Sequence, residues 1–210
     1  MRFADLDAVT VDGYGTLVTL VDPVPSLSAA LREHAIAREP HEVAAAFSAE
    51  VAHYRPRAHL GRDADSLARL RLECAGVFLE ALGDPIPPES FVDAFIDALH
   101  FVPVLGAAET LRLLASRRLA LAVCANWDCA LPQHLARLGL DGFFRTVVTS
   151  AEAGTPKPNP AVFRLALERL GVEPDRALHV GDEEIDEQGA VAAGMAFRPA
   201  PLRSAFAGFA

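Results

Sequence analysis

VTVDGYGTLV, residues 9–18, joins a β-branched run to an aspartate and a turn carrying two glycines. The run starts at residue 7 as DAVTV and stops at Asp12. A short apolar run that ends abruptly in a polar turn is the pattern of a strand buried on both faces. Three further runs repeat it: LALAVC at 119–124 ends at Ala125–Asn126, RTVVT at 145–149 ends at Ser150, and ALHV at 177–180 ends at Gly181–Asp182. Helical stretches separate them. In NPAVFRLALERLG, 159–171, the pattern places Asn159 at the N-cap, Pro160 at the first helical position and Gly171 at the stop. Strand and helix in alternation predict an α/β fold with an open, doubly wound parallel sheet.

Between the first strand and residue 101 the alternation ceases and only helical spacing remains. Leu27, Ala30, Leu31, His34 and Ala35 keep that spacing, as do Leu67, Leu70, Cys74, Val77, Phe78, Ala81 and Leu82, and then Phe91, Val92, Phe95, Ile96 and Leu99. The chain therefore divides into a core domain of residues 1–20 and 102–210 and an all-helical insert of residues 21–101. Prolines mark both joins, VDPVPS at 21–26 and FVPVLG at 101–106, which makes them a candidate hinge pair. The tail, RPAPLRSAFAGFA at 198–210, carries no readable pattern.

Composition narrows the function. The 210 residues are 51% hydrophobic, enough for a sizeable core, and carry a formal net charge of -9. A phosphate-backbone partner needs a basic footprint, so nucleic acid is excluded as a generic ligand. No run approaches the ~18 apolar residues of a membrane helix, and MRFADLDAVTVDG carries acids where a signal peptide needs a basic and then apolar stretch. A cytoplasmic protein without a membrane partner is expected. Cys74, Cys124 and Cys129 show no CxxC spacing and fit a reducing compartment.

The ends of the predicted strands are unusually polar. In an open parallel sheet, ligands bind at the carboxyl ends of the strands. The first strand delivers Asp12 there and the fourth delivers Asp182, with Asp186 about one turn further on. Lys157 follows the third, in GTPKPNP. Carboxylates from neighbouring strand ends can share a hard cation such as Mg²⁺, and a lysine beside them can neutralise a bound anion. Each residue taken alone reads as a turn, cap or surface residue; the order strand-Asp-x-x-Gly-Thr, Lys-Pro before a capped helix, then strand-Gly-Asp is the signal.

That order resembles the haloacid dehalogenase (HAD) superfamily, in four stretches: VTVDGYGTLV (9–18), LALAVCANWD (119–128), GTPKPNPAVF (154–163) and LHVGDEEIDEQGAVAAGM (178–195). The resemblance implies a Rossmann-like core, with the insert as a helical cap that excludes water and selects the substrate. It implies Asp12 as a nucleophile forming an aspartyl-phosphate, Lys157 steadying the nucleophile and the developing charge, and Thr16 bracing the loop. It implies Mg²⁺ held by Asp12, the Tyr14 backbone carbonyl and Asp182, with Asp186 in support. Ala125 and Asn126 would then meet a phosphoryl oxygen.

Two positions depart from the phosphatase pattern. The residue two places after the nucleophile is normally an aspartate acting as acid and base; here it is Tyr14. Family 2-haloacid dehalogenases, which need no metal, typically carry tyrosine there. The serine or threonine expected before Asn126 is Ala125, and the tyrosine that dehalogenases tend to carry six residues after the lysine is Phe163. Loss of a general acid/base costs roughly 10²–10⁴ in rate, so a phosphatase built this way is expected to be slow. His53, Arg55, Arg57, His59 and Arg62 form a basic stretch in the insert, with Arg55 the candidate for contact with a small anionic substrate. Three readings follow: a Mg²⁺-dependent phosphatase of small phosphorylated metabolites, acting as monomer or homodimer; a metal-independent 2-haloacid dehalogenase; and a non-catalytic HAD-like binding protein.

Overall fold

The computed structural model describes residues 5–83 and 86–208. The first four residues of the acidic N-terminal stretch, positions 84–85 of the insert and the last two residues of the tail lie outside the described residues. The chain forms two compact units, one of residues up to Thr19 together with Val102 onward, the other Leu20–Phe101.

The first unit is a parallel sheet with helices. Its strands are β1 (Ala8–Val11), β4 (Ala120–Ala125), β5 (Thr146–Thr149), β6 (Ala177–Gly181) and β7 (Ala196–Pro199), in the order β5-β4-β1-β6-β7. The short strands β2 (Val18–Leu20) and β3 (Phe101–Pro103) pair separately as a ribbon. Helices α5 (Ala107–Ser116), α6 (Leu131–Arg137), α7 (Ser150–Ala153), α8 (Ala161–Leu170), α9 (Glu184–Ala192) and α10 (Leu202–Ala205) complete the unit. β1, between β4 and β6 at the centre of the sheet, is buried along its whole length, Thr10 included, so its sequence AVTV does not alternate between a buried and an exposed face. Val11 is level with Val123 on one neighbour and Val180 on the other, so Asp12 emerges at the carboxyl edge beside both strand ends. Phe163, Val162 and Ala166 of α8 pack with Ala8, Ala122 and Cys124 of the strands.

Several expectations are corrected. The sheet has a fifth strand: β7 is an edge strand, only partly buried, and its AFRP sequence lacks the continuous apolar run that marks the others. Helix α8 begins at Ala161 with Pro160 as its N-cap, one residue later than predicted, and Asn159 caps from outside by accepting the Ala161 N–H at 3.0 Å. Gly171 ends that helix in the left-handed region, φ 67°, as its position requires. Part of the unreadable tail is helical, as α10.

The second unit contains α1 (Val24–Glu33), α2 (Pro40–Tyr54), α3 (Ala64–Ala81) and α4 (Val92–Asp97). His34 and Ala35 fall beyond α1, and Ala35 is itself left-handed at φ 61°, which a helix does not tolerate. Helix α2 escaped the spacing analysis because its run of alanines blurs the apolar face; Val43, Ala46 and Glu50 are its buried residues. The core joins Leu27, Leu31, Val43, Phe78, Phe91 and Phe95, with the Phe78 and Phe91 rings stacked at 5.9 Å.

Glu50 is a carboxyl within this apolar core. Burial pushes it up from 4.5 to about 7, only partly offset by a hydrogen bond with Cys74. The folded state thus holds its proton more tightly than the unfolded chain does, and stability falls as pH rises from about 4.5 to about 7. Glu50→Gln, which mimics the protonated form, is expected to stabilise the unit by up to about 3 kcal/mol at pH 8. The gap should close toward pH 5, read as urea midpoints at the two pH values. A variant no more stable than the parent at pH 8 would show that Glu50 is satisfied as the anion.

Candidate active site

The carboxyl edge of the sheet gathers the polar residues. Asp12 follows β1 directly, and its N–H donates to the Val180 carbonyl at 2.9 Å, so its backbone is held as a continuation of the sheet. The turn after it closes on itself: the Gly13 carbonyl accepts the Leu17 and Val18 N–H groups, both at 2.9 Å, and Gly15 N–H donates to Val18 at 2.8 Å. Gly15 has φ +85°, and a Cβ there would lie 2.2 Å from Asp182 Oδ2. Its absent side chain is what allows the Asp182 carboxylate to approach the loop, where Thr16 Oγ1 donates to Asp182 Oδ1 at 3.1 Å.

Lys157 sits at the centre. Of the 19 Lys and Arg residues in the chain it is the one lysine. It is buried, and its three N–H bonds have three acceptors: an Asp12 carboxylate oxygen, Asp186 Oδ1 at 2.5 Å and the Cys124 carbonyl at 3.1 Å. An ammonium has three donors, so all are committed. Burial works to lower the Lys157 pKa, but the Asp12 and Asp186 carboxylates outweigh it and hold the amine well above its ordinary range. Asp186 is the third residue of α9. Its Oδ2 accepts the Glu183 N–H at 3.1 Å, and its Oδ1 accepts from His179 Nε2 at 3.2 Å as well as from Lys157. Burial opposes its ionisation, yet His179 and Lys157 together hold it low, at about 2.

Asp12 is shifted the other way. Burial raises its pKa, and the Asp186 and Asp182 carboxylates add to the rise against the pull of Lys157. Asp182, exposed at the edge, is also raised, by partial burial and by the Asp186 charge, with the Thr16 bond pulling down. Carboxylate oxygens of Asp12, Asp182 and Asp186 lie within 4.8 Å of one another. One lysine cannot neutralise three clustered carboxylates. An all-oxygen donor set with excess negative charge fits a hard divalent cation, which would favour the ionised Asp12.

The other predicted residues divide. Ala125 ends β4 and is buried, with its methyl 3.0 Å from where a Cβ on Gly13 would stand. The Asn126 side chain faces the lysine loop: its Oδ1 accepts the Lys157 N–H at 2.7 Å and its Nδ2 donates to the Lys157 carbonyl at 3.2 Å. That amide is a clamp on the Lys157 backbone, and both its ends are occupied. The Tyr14 side chain is 51% exposed at the edge. Arg55 is the C-cap residue of α2, in the helical unit. Two residues of the cluster lie outside the set predicted from sequence. His179 and Thr10 are wholly buried neighbours on β6 and β1, joined at 2.8 Å. A histidine in an otherwise aliphatic strand was the available signal.

Comparison with known proteins gives a consistent answer. The family model described as haloacid dehalogenase-like hydrolase matches residues 6–194. The mouse haloacid dehalogenase-like hydrolase domain-containing protein 3 is 48% identical over 91 residues, 43% of this chain and 36% of that protein. The phosphoserine phosphatase of Thermus thermophilus is 38% identical over 126 residues, 57% of this chain and 51% of that one. The matches thus span about a third to a half of the length of these curated relatives. The solved structure of an L-2-haloacid dehalogenase from Xanthobacter autotrophicus superposes with a TM-score of 0.66 at 29% identity, covering 91% of this chain and 76% of that one.

Proposed function

This chain belongs to the haloacid dehalogenase-like hydrolase family, and within that family we propose that it is a Mg²⁺-dependent phosphatase acting on a small phosphorylated metabolite. The observation that carries this reading is Asp182. It brings a third carboxylate oxygen within 4.8 Å of those of Asp12 and Asp186, where a metal-free enzyme would meet only repulsion. Phosphatases among the relatives, the Thermus thermophilus phosphoserine phosphatase included, support it further.

Mg²⁺, held by Asp12, the Tyr14 carbonyl and Asp182 with Asp186 behind them, would supply positive charge for the phosphoryl oxygens. The chain's own residues do the rest. The Asp12 oxygen attacks phosphorus, the ester bond breaks, and an aspartyl-phosphate forms that water then hydrolyses. Lys157 keeps Asp12 oriented throughout. With its three N–H bonds committed, it acts on the nucleophile and reaches the substrate only by releasing an acceptor. Asn126 steadies Lys157 from behind through its two hydrogen bonds to the Lys157 backbone. Tyr14 has a hydroxyl that can donate to the leaving oxygen but serves poorly as a base toward water, so the second half-reaction is the slow one. Substrate selection is assigned to the helical unit, with Arg55 the candidate for the anionic group.

The test is phosphate release from a panel of phosphate esters, with Mg²⁺ and with EDTA. Activity is expected with the metal, lost on chelation and restored by excess Mg²⁺. A second reading has its own support: Tyr14 matches the dehalogenase pattern, and the Xanthobacter dehalogenase aligns along most of the chain. Halide release from 2-chloropropionate in EDTA, with no phosphate release in Mg²⁺, would establish that reading and remove the first.

A further inference from the structure

We propose that Thr10 and His179, buried behind the strand edge, form a positioning relay that aims the Asp186 carboxylate and so seats Lys157 on Asp12. The proposal rests on the reading above that Asp12 is the reacting group.

β6 lies inside the sheet between β1 and β7, where a parallel strand is normally aliphatic. His179 is nevertheless wholly buried in it, and its register partner Thr10 is equally buried. Polar side chains are costly there unless bonded, and each polar atom of the pair has a partner. Thr10 Oγ1 lies 2.8 Å from His179 Nδ1, and His179 Nε2 lies 3.2 Å from Asp186 Oδ1. An ionised carboxylate only accepts, so Nε2 carries the hydrogen and Nδ1 accepts the Thr10 hydroxyl. The ring's plane is fixed by packing as well. Phe163 meets it edge-on at 4.8 Å and 79°. Phe163 is itself held against Gly189, where a Cβ would come within 2.5 Å of its ring.

Asp186 is thereby oriented from two sides, Oδ2 by the Glu183 N–H and Oδ1 by His179. Oδ1 is the same oxygen that takes Lys157. Thr10, His179, Asp186, Lys157 and Asp12 form one continuous line of hydrogen bonds from the sheet interior to the strand edge. A ring present for volume alone would need none of these bonds, and phenylalanine would fill the space.

The single lysine makes the test direct. Protein labelled with ¹⁵N-lysine carries one side-chain Nζ signal, that of Lys157, and a fully bonded buried ammonium exchanges its hydrogens slowly. Hydrogen exchange at Nζ is measured in the parent and in His179→Leu, His179→Gln and His179→Asn, beside kcat and KM for p-nitrophenyl phosphate with Mg²⁺. Glutamine can present an N–H where Nε2 stood, whereas asparagine reaches only toward Thr10. Expected is faster Nζ exchange in His179→Leu, with kcat lower by roughly 10–100-fold and KM unchanged. His179→Gln should recover most of both, and His179→Asn neither. Unchanged Nζ exchange in folded His179→Leu, or equal behaviour of the glutamine and asparagine variants, overturns the relay. Should His179→Leu fail to fold, Thr10→Val is the substitute, expected to shift exchange in the same direction by less; no shift there overturns the proposal equally. If the parent releases no phosphate, the phosphatase reading fails while Nζ exchange still decides the relay.

Discussion

Replacing Asp12 by asparagine is expected to lower phosphate release from p-nitrophenyl phosphate by about 10⁴-fold or more while leaving the protein folded. The two halves of that expectation have different causes. Turnover is lost because an amide oxygen is a far weaker nucleophile than a carboxylate, and no other side chain in the cluster can replace it. Asp182 is tied to Thr16, and Asp186 has both its oxygens engaged. The fold survives because asparagine keeps an oxygen for Lys157 and removes a buried charge that Asp186 and Asp182 already oppose. The Lys157–Asp186 pair stays intact and charge-balanced. Circular dichroism and a thermal midpoint at or above the parent's, beside absent turnover, are the expected pair. Residual turnover near the parent's level would remove Asp12 from the nucleophile's role. A parent that releases neither phosphate nor halide would instead support the binding-protein reading.

The sheet was readable because β1, β4 and β6 are buried on both faces, and such strands announce themselves as apolar runs that stop at a polar residue, while the edge strand β5 keeps a β-branched TVVT run. β7 was not, since a half-covered edge strand such as AFRP needs no such run. In the candidate site, Asp12 and Asp182 were legible for the same reason as the strands, because each follows a run that ends there, and Lys157 from its place between prolines ahead of a helix. Partners across the fold were not. Asn126 reads as a ligand-facing amide until the chain is folded, and only then does the Lys157 peptide, 31 residues away, occupy both its ends. His179 is not singled out by sequence, because nothing local in ALHVGD reveals that Thr10 and Asp186 stand at its two nitrogens. Local pattern places residues at the strand edge; which atom each one bonds is settled by register between strands, and a single sequence does not carry that.

Tyr14→Asp is expected to raise kcat for phosphate release by roughly 10²–10⁴, the size of the general acid/base contribution it restores. The loop can take the change. Its shape comes from the Gly13 and Gly15 backbone bonds to Leu17 and Val18, and the Tyr14 side chain is half-exposed outside the Lys157 network. The carboxylate adds what the phenol lacks, a base able to take the proton of the water that opens the aspartyl-phosphate. It also adds a fourth negative charge to a cluster in which Asp12 is already pushed toward its neutral form. The gain should therefore appear only with Mg²⁺ present, and in EDTA the variant should be no faster than its parent. A dehalogenase predicts the reverse, since an added carboxylate would repel the substrate's own, and halide release should fall. Measuring both products from one variant with and without metal separates the two chemistries: a rise in phosphate that depends on Mg²⁺ means Tyr14 marks a weakened phosphatase, and a fall in halide with no phosphate means Tyr14 belongs to the reaction.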